Sequence, residues 1–226
     1  MELNNAVAVV TGANRGLGRR IAEQLLERGA KVYAGARRPE TVDLPGAVPL
    51  RLDITDPESV RAAAAAAPDA TLLVNNAGIS TLTPLVSGEL DRIRLEMDTH
   101  FYGTLQVTRA FAPVIEGNGG GSILNILSVL SWIHPAGYGA YSAGKAAAWS
   151  LTDSIREELE PRGIRVSALH VGYMDTDMAE YVDPAQKTDP ASVAAQALEG
   201  LEKGAPEILA DDLTRQVKQG LGVLTG

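Results

Sequence analysis

The chain contains no cysteine, which excludes disulfides, thiolate metal sites and a cysteine nucleophile. Aromatic residues make up only 4% of it, so the bulk of any core must be aliphatic. The 3 histidines, His100, His134 and His170, lack metal-ligand spacing, and no metal site is expected. Positive charge is in deficit: 20 Lys and Arg against 28 Asp and Glu leave a net charge of -8. Such a chain is poorly suited to nucleic acid or an anionic membrane, whose attraction rests on Lys and Arg. No apolar run approaches the ~20 residues that a membrane-crossing helix needs. Residues 1–5 are polar, with no basic segment leading into an apolar one. No secretory leader is expected, and a cytoplasmic location is.

What is present is a chain of 226 residues, 45% hydrophobic, enough for one domain with a real core. Short β-rich runs alternate with longer helical ones. Strands are predicted at residues 6–10, 31–36, 48–52, 71–74, 122–127, 164–170 and 207–210. Between them, helical patterns cover 16–28, 89–115, 138–160, 190–203 and 211–220. A further short helix opens at Asp56-Pro57, with Asp as N-cap and Pro at its first position. Residues 62–67, all alanine, read as a surface helix. Strands separated by helices imply right-handed crossovers and a mostly parallel sheet covered on both faces. The expected fold is α/β: a single doubly wound domain, Rossmann-type with about seven strands, spanning residues 1–226.

The first strand runs into Thr11-Gly12-Ala13-Asn14-Arg15-Gly16-Leu17-Gly18, which opens a helix. Glycines there permit a tight turn and close approach of backbone to a pyrophosphate, and the helix N-terminus offers unpaired N–H groups. The spacing is Gly-x3-Gly-x-Gly, and Asn75-Asn76-Ala77-Gly78 ends the fourth strand. Together these resemble the classical short-chain dehydrogenase/reductase family. Tyr141 and Lys145 lie four residues apart, one turn of a helix, and Ser128 stands thirteen residues before Tyr141 at a strand end. The resemblance covers nearly the whole chain and implies a carbonyl–alcohol oxidoreductase. In it Ser128 orients the substrate oxygen, Tyr141 gives or takes the proton, and Lys145 binds the nicotinamide ribose and tunes Tyr141. A nearby ammonium and a cationic nicotinamide ring are expected to lower the phenol pKa. Ser131 is an alternative to Ser128. A cofactor-binding module that regulates without turnover is the competing reading; the retained Ser128, Tyr141 and Lys145 weigh against it.

In such sites an acid at the end of the second strand selects NAD(H). Here that place reads Gly35-Ala36-Arg37-Arg38. With Arg15 in the glycine loop, this points to NADP(H), a 2′-phosphate being held by Arg37, Arg15 or Arg38, with NAD(H) as a secondary possibility. The alternative is solvated surface arginines. Asp53 either contacts the adenine ring, as the resemblance implies, or closes a turn. The implied cofactor set is Gly12, Asn14, Arg15, Gly16, Leu17, Gly18, Arg37, Arg38, Asp53, Asn76, Ala77, Gly78, Tyr141 and Lys145. The segment from Val171 to Thr176 resembles the family's Pro-Gly-x3-Thr, with Val171 in place of proline, and adds Val171, Gly172 and Thr176. His100-Phe101-Tyr102-Gly103 matches the family's Asn-x2-Gly, so an imidazole replaces the usual asparagine. Either His100 carries a proton relay or it only fills the space.

Ser128, Trp132, His134, Tyr138 and Tyr173 are the candidate substrate residues, with Ile133 adding to an apolar wall; Trp132 is equally a packing residue. His170 is read as a core histidine. Residues 177–189 form a short polar substrate lid, with Met178 and Tyr181 its bulky apolar members. Leu95, Leu105, Phe111, Trp149 and Leu151 on the two long helices suit either an interface or the sheet, and a homodimer or homotetramer is expected.

Overall fold

In the computed structural model, which describes residues 1–221, the predicted alternation becomes one sheet. Its strands are β1 (Val7–Thr11), β2 (Lys31–Ala36), β3 (Val48–Arg51), β4 (Leu72–Asn75), β5 (Gly121–Ile126), β6 (Ile164–His170) and β7 (Glu207–Leu209). Their order is β3-β2-β1-β4-β5-β6-β7, and every neighbouring pair is parallel. The chain reverses its direction of travel across the sheet between β1 and β4, the switch point where ligands of open parallel sheets bind. The helices are α1 (Gly16–Glu27), α2 (Pro57–Ala66), α3 (Leu90–Met97), α4 (Thr104–Gly117), α5 (Gly139–Leu159), α6 (Pro190–Lys203) and α7 (Asp212–Leu221). None of the described helices is long and apolar enough to cross a membrane.

Alternate residues of each strand enter opposite layers. Val10, Leu72 and Leu124 pack with Ile21 and Leu25 of α1 and Leu198 and Leu201 of α6. Val9, Leu73 and Ile123 pack with Phe111 and Ile115 of α4 and Ile155 and Leu159 of α5. A sheet covered on both faces explains why its strands read as continuous apolar runs. Helix starts follow the sequence signals. Asp56 caps α2 by accepting from Glu58 N at 3.0 Å, and Asp189 caps α6 through Ala191 N and Ser192 N. In the alanine-rich stretch Ala63 and Ala67 are buried, while Ala62, Ala65 and Ala66 face solvent.

One expectation needs correction. The predicted helix over 89–115 is α3 and α4 joined by a π-helical segment, Asp98–Gly103, which carries His100. Gly103 allows that segment close to the sheet, since a Cβ there would lie 2.9 Å from Ile54 Cδ1. Phe111 and Leu151 are buried in the layer beneath the sheet, so they are not available to an interface. Leu95, 46% exposed, remains on the surface.

Candidate active site

The carboxyl ends of the strands around the β1–β4 switch point surround a cavity of about 750 Å³. Its floor at one end is the glycine turn after β1. Gly12 and Gly16 adopt φ of +66° and +55°, a region that side chains disfavour. The turn is fastened to the end of β4 from both sides. Thr11 Oγ1 accepts from Asn76 N and Ala77 N, each at 2.9 Å. Asn76 Nδ2 donates to Thr11 O at 2.8 Å and Gly12 O at 3.2 Å. The two sequence motifs therefore form one rigid object. Gly18 does not border the cavity. A Cβ there would collide with Gly12 O and Asn76 Nδ2, so its role is to let α1 dock against the turn.

Asn14, Arg15, Gly16, Leu17, Arg37, Arg38 and Asp53 border this end, together with Thr41, which the sequence reading missed. Thr41 Oγ1 accepts from Asn14 Nδ2 at 3.1 Å. Arg15 pairs with Asp177 at 2.7 Å, tying the glycine turn to the lid across an exposed surface. Arg37 and Arg38 are exposed, and among the described residues neither guanidinium has a hydrogen-bond partner. Asp53 Oδ1 accepts from Thr55 N at 3.0 Å and Thr55 Oγ1 at 2.8 Å, so it closes a turn while also facing the cavity. Ala77, Gly78, Val171, Gly172 and Thr176 complete the wall. The Gly172 N–H is already committed to Asp211 Oδ2 at 2.6 Å and is not free for a ligand.

The opposite end gathers the titratable groups. Ser128, buried at the end of β5, accepts from Leu130 N at 3.1 Å, and its hydroxyl hydrogen can be turned toward Tyr141 or toward a ligand in the cavity. Ser131 is also buried, but it lies outside the cavity wall, which favours Ser128. Tyr141 and Lys145 project from one face of α5 into the cavity. Lys145 Nζ donates to Ile126 O at 2.9 Å and lies 5.7 Å from the centre of the Tyr141 ring. Burial pulls the Lys145 ammonium down to about 8, with Glu96 opposing. Burial also pushes the Tyr141 phenol up; its hydrogen bond with Ser128 opposes this, and the negative charge of Glu96 adds to it. The chain's own groups alone therefore do not lower the phenol pKa; the expected lowering also rested on the cationic nicotinamide ring. Lys145 directs its charge to a carbonyl rather than to the phenol.

His100 is 2% exposed and presents its ring edge to Tyr141, with centroids 5.2 Å apart. Its ring lies between two glycines, where a Cβ on Gly78 would be 3.0 Å from Cε1 and one on Gly144 3.1 Å from Cδ2. Its Nε2 lies 3.0 Å from Ile79 O. Behind it is Glu96, fully buried and unforeseen from the sequence, with Oε2 at 3.1 Å from the same nitrogen. The sequence signal for this pair was its i,i+4 spacing on a helix.

At the substrate end Tyr138, Tyr173, Ile133, Met178 and Tyr181 border the cavity. The Tyr138 and Tyr181 hydroxyls are 3.4 Å apart. Trp132 and His134 do not line it. The Val129–Ser131 3-10 turn carries Trp132 under the sheet edge, where it stacks on His170 at 3.9 Å and meets Trp149 edge-on at 5.9 Å. His134 points to solvent. His170 is a core residue as read, with Nδ1 3.4 Å from Ser128 O, but its Nε2 has no hydrogen-bond partner among the described residues. The lid is zipped at its base, where Thr188 N donates to Tyr173 O at 2.8 Å and Asp175 N to Thr188 O at 3.0 Å.

Comparison with known proteins agrees with this geometry. A family model described as short chain dehydrogenase matches residues 6–187. A 3-oxoacyl-[acyl-carrier-protein] reductase of Vibrio cholerae is 33% identical, covering 83% of this chain and 81% of that protein. A short chain dehydrogenase of Burkholderia cenocepacia, solved in complex with NADP, superposes with a TM-score of 0.94 at 41% identity, covering 98% of this chain and 94% of that one. A short chain dehydrogenase/reductase of Burkholderia phymatum, solved with NAD, gives a TM-score of 0.86 at 26% identity, covering 96% and 93% of the two chains. By the family model over most of its length and by these relatives, the chain belongs to the short-chain dehydrogenase family of oxidoreductases.

Proposed function

We propose that this protein is an NADP(H)-dependent oxidoreductase that interconverts a small-molecule carbonyl compound and its alcohol. The observation that carries this reading is a single cavity bordered at one end by the glycine turn with Arg37 and Arg38, and at the other by Ser128, Tyr141 and Lys145. The residues present fit a dinucleotide. Gly12 and Gly16 leave room for a pyrophosphate at the start of α1, and the two arginines are free to grip a 2′-phosphate. When bound, the cofactor supplies or receives the hydride. Preference for NADP(H) over NAD(H) is supported by the absence of an acid at the end of β2 and by the NADP in the Burkholderia cenocepacia relative.

The chain's own groups orient and move a proton. The Ser128 hydroxyl, turned toward the cavity, donates to the substrate oxygen. The Tyr141 phenol, kept protonated by burial and Glu96, donates to that oxygen during reduction. Lys145 would hold the nicotinamide ribose, and His100 serves the relay that returns a proton to Tyr141. Tyr138, Tyr173 and Ile133 hold the substrate beneath Met178 and Tyr181 of the lid. The whole chain acts as one dinucleotide-binding domain in the cytoplasm, as a homodimer or homotetramer. NADPH oxidation against a panel of ketones, aldehydes and quinones tests the reading: turnover that is lost in Tyr141→Phe is expected. Tight NADPH binding with no turnover across the panel would overturn it.

A further inference from the structure

Glu96 is a carboxylate with no solvent exposure, which is costly unless its charge is used or paired. Its Oε1 is satisfied, accepting from both the backbone N and the Oγ1 of Thr81. Its Oε2 has no hydrogen bond among the described residues, yet it lies 3.1 Å from His100 Nε2. The two facts are compatible. His100 Nε2 faces two acceptors, Ile79 O and Glu96 Oε2, and its one N–H lines up with the carbonyl. Neither acceptor can donate, so the ring hydrogen must sit on Nε2. Nδ1 is then the lone-pair nitrogen, and among the described residues it has no hydrogen-bond partner. It faces Gly78, lying 3.6 Å from where a Cβ of that residue would be, and both residues border the cavity.

The placement is specific. The π-helical segment, the form in which helices carry an extra residue and which concentrates at functional sites, sets the ring at its angle. Gly78 and Gly144 leave a slot for a flat ring between the cofactor motif and α5.

We propose that Glu96 is a positioning residue of the reaction end. With His100 it forms a buried carboxylate–imidazole pair, in which the carboxylate backs Nε2–H and offsets the charge of a proton taken up at Nδ1. This rests on the oxidoreductase reading above and extends it. Tyr141 must be reprotonated after each reduction. His100 takes up a proton at Nδ1 from the cavity and releases the same proton to the cavity, from which Tyr141 is reprotonated, with no net change in the pair. The groups facing His100 pull in opposite directions. Burial and the Lys145 ammonium from α5 disfavour the imidazolium, Glu96 favours it, and the Ile79 carbonyl on the β4–α3 connection also favours it. Tyr141 presents a neutral ring. Glu96 is the counterweight that keeps the ring able to accept a proton.

The test has two arms. With only 3 histidines in the chain, imidazole 15N spectra can be assigned to His100 by single substitutions. In the wild-type protein His100 is expected to carry its hydrogen on Nε2 and to titrate at acid pH. In Glu96→Gln, which keeps an acceptor but removes the charge, the midpoint should fall. In Glu96→Asp, which keeps the charge, it should stay closer to the wild-type value. An Nδ1–H tautomer, a wild-type ring neutral throughout the folded range, or an unmoved midpoint in Glu96→Gln would each overturn the proposal. In the kinetic arm, Glu96→Gln is expected to lower kcat roughly tenfold with the KM for NADPH within about twofold, and to have less than about a twofold effect in a His100→Asn background. Equal losses in both backgrounds would show Glu96 to be a brace for the Thr81 loop and nothing more, and would overturn the proposal. A wild-type protein that turns over no carbonyl would end the reductase reading, while the spectroscopic arm would still decide the Glu96–His100 pair.

Discussion

A buried phenol is a weak acid, and that suits a proton donor. Tyr141 stays protonated at neutral pH, which fits the proposed protonation of a developing alkoxide. Tyr141→Phe is expected to cut turnover by a factor on the order of 100 or more while leaving NADPH affinity within about twofold, read by stopped-flow and fluorescence titration. Lys145 sets the upper pH limit. Because burial brings its ammonium down to about 8, turnover that needs the cation should decline above that pH. The stability sign follows from the same shift. Between about 8 and the ordinary lysine value of 10.5 the unfolded chain binds more protons than the folded one, so stability rises with pH there. Lys145→Met should flatten that rise in urea titrations. At the other end, Arg37→Ala is expected to weaken NADPH roughly tenfold and leave NADH nearly unchanged, since only the 2′-phosphate separates the two cofactors. Ser128, Tyr141 and Lys145 were legible because their chemistry demands fixed spacing on adjacent elements. Glu96 was not, because a glutamate in a polar helical stretch looks like any solvated one until burial is seen. Trp132 misled for the reverse reason: its neighbours in sequence line the cavity, and a single 3-10 turn sends it elsewhere.

Elements with local punctuation were read from sequence to within a residue or two. Asp-Pro starts, glycine ends and apolar strand runs all derive from short-range physics. The π-helical segment Asp98–Gly103 has no such mark, since its periodicity differs from that of an α-helix by one residue in a turn. It was therefore absorbed into one long helix. The bond between the glycine turn and β4 is also an element-scale feature. Asn76→Ala removes the donor to Thr11 O and Gly12 O, leaving two backbone acceptors without that partner. A loss on the order of 1–2 kcal/mol in denaturant unfolding is expected, with weaker NADPH binding because the turn is no longer held.

At the scale of the molecule, an all-parallel sheet forces its functional groups to the carboxyl ends of its strands, and the cavity lies there. The net charge of -8 makes the chain poorly suited to polyanionic partners, yet the arginines at one mouth of that cavity suit a single small phosphate. The other edge of the sheet has a pH liability. Burial brings His170 down to about 4, so as pH falls from 6.5 toward 4 the unfolded chain takes up a proton that the folded chain refuses. Stability should fall over that window by up to about 3 kcal/mol, and His170→Phe should lose less, as thermal melts in a pH series will show.

The stack of Trp132 on His170, with Trp149 at its edge and Lys218 of α7 4.8 Å above the Trp132 ring, joins both of the chain's 2 tryptophans to one imidazole. The protein's intrinsic fluorescence is thus a single-site signal from the seam between β6 and α7, at the other side of the sheet from Arg37 and Arg38 after β2. An imidazolium quenches indole emission. A drop in emission centred near pH 4 that precedes loss of the far-UV signal would therefore read the charge of one buried histidine directly, without any label.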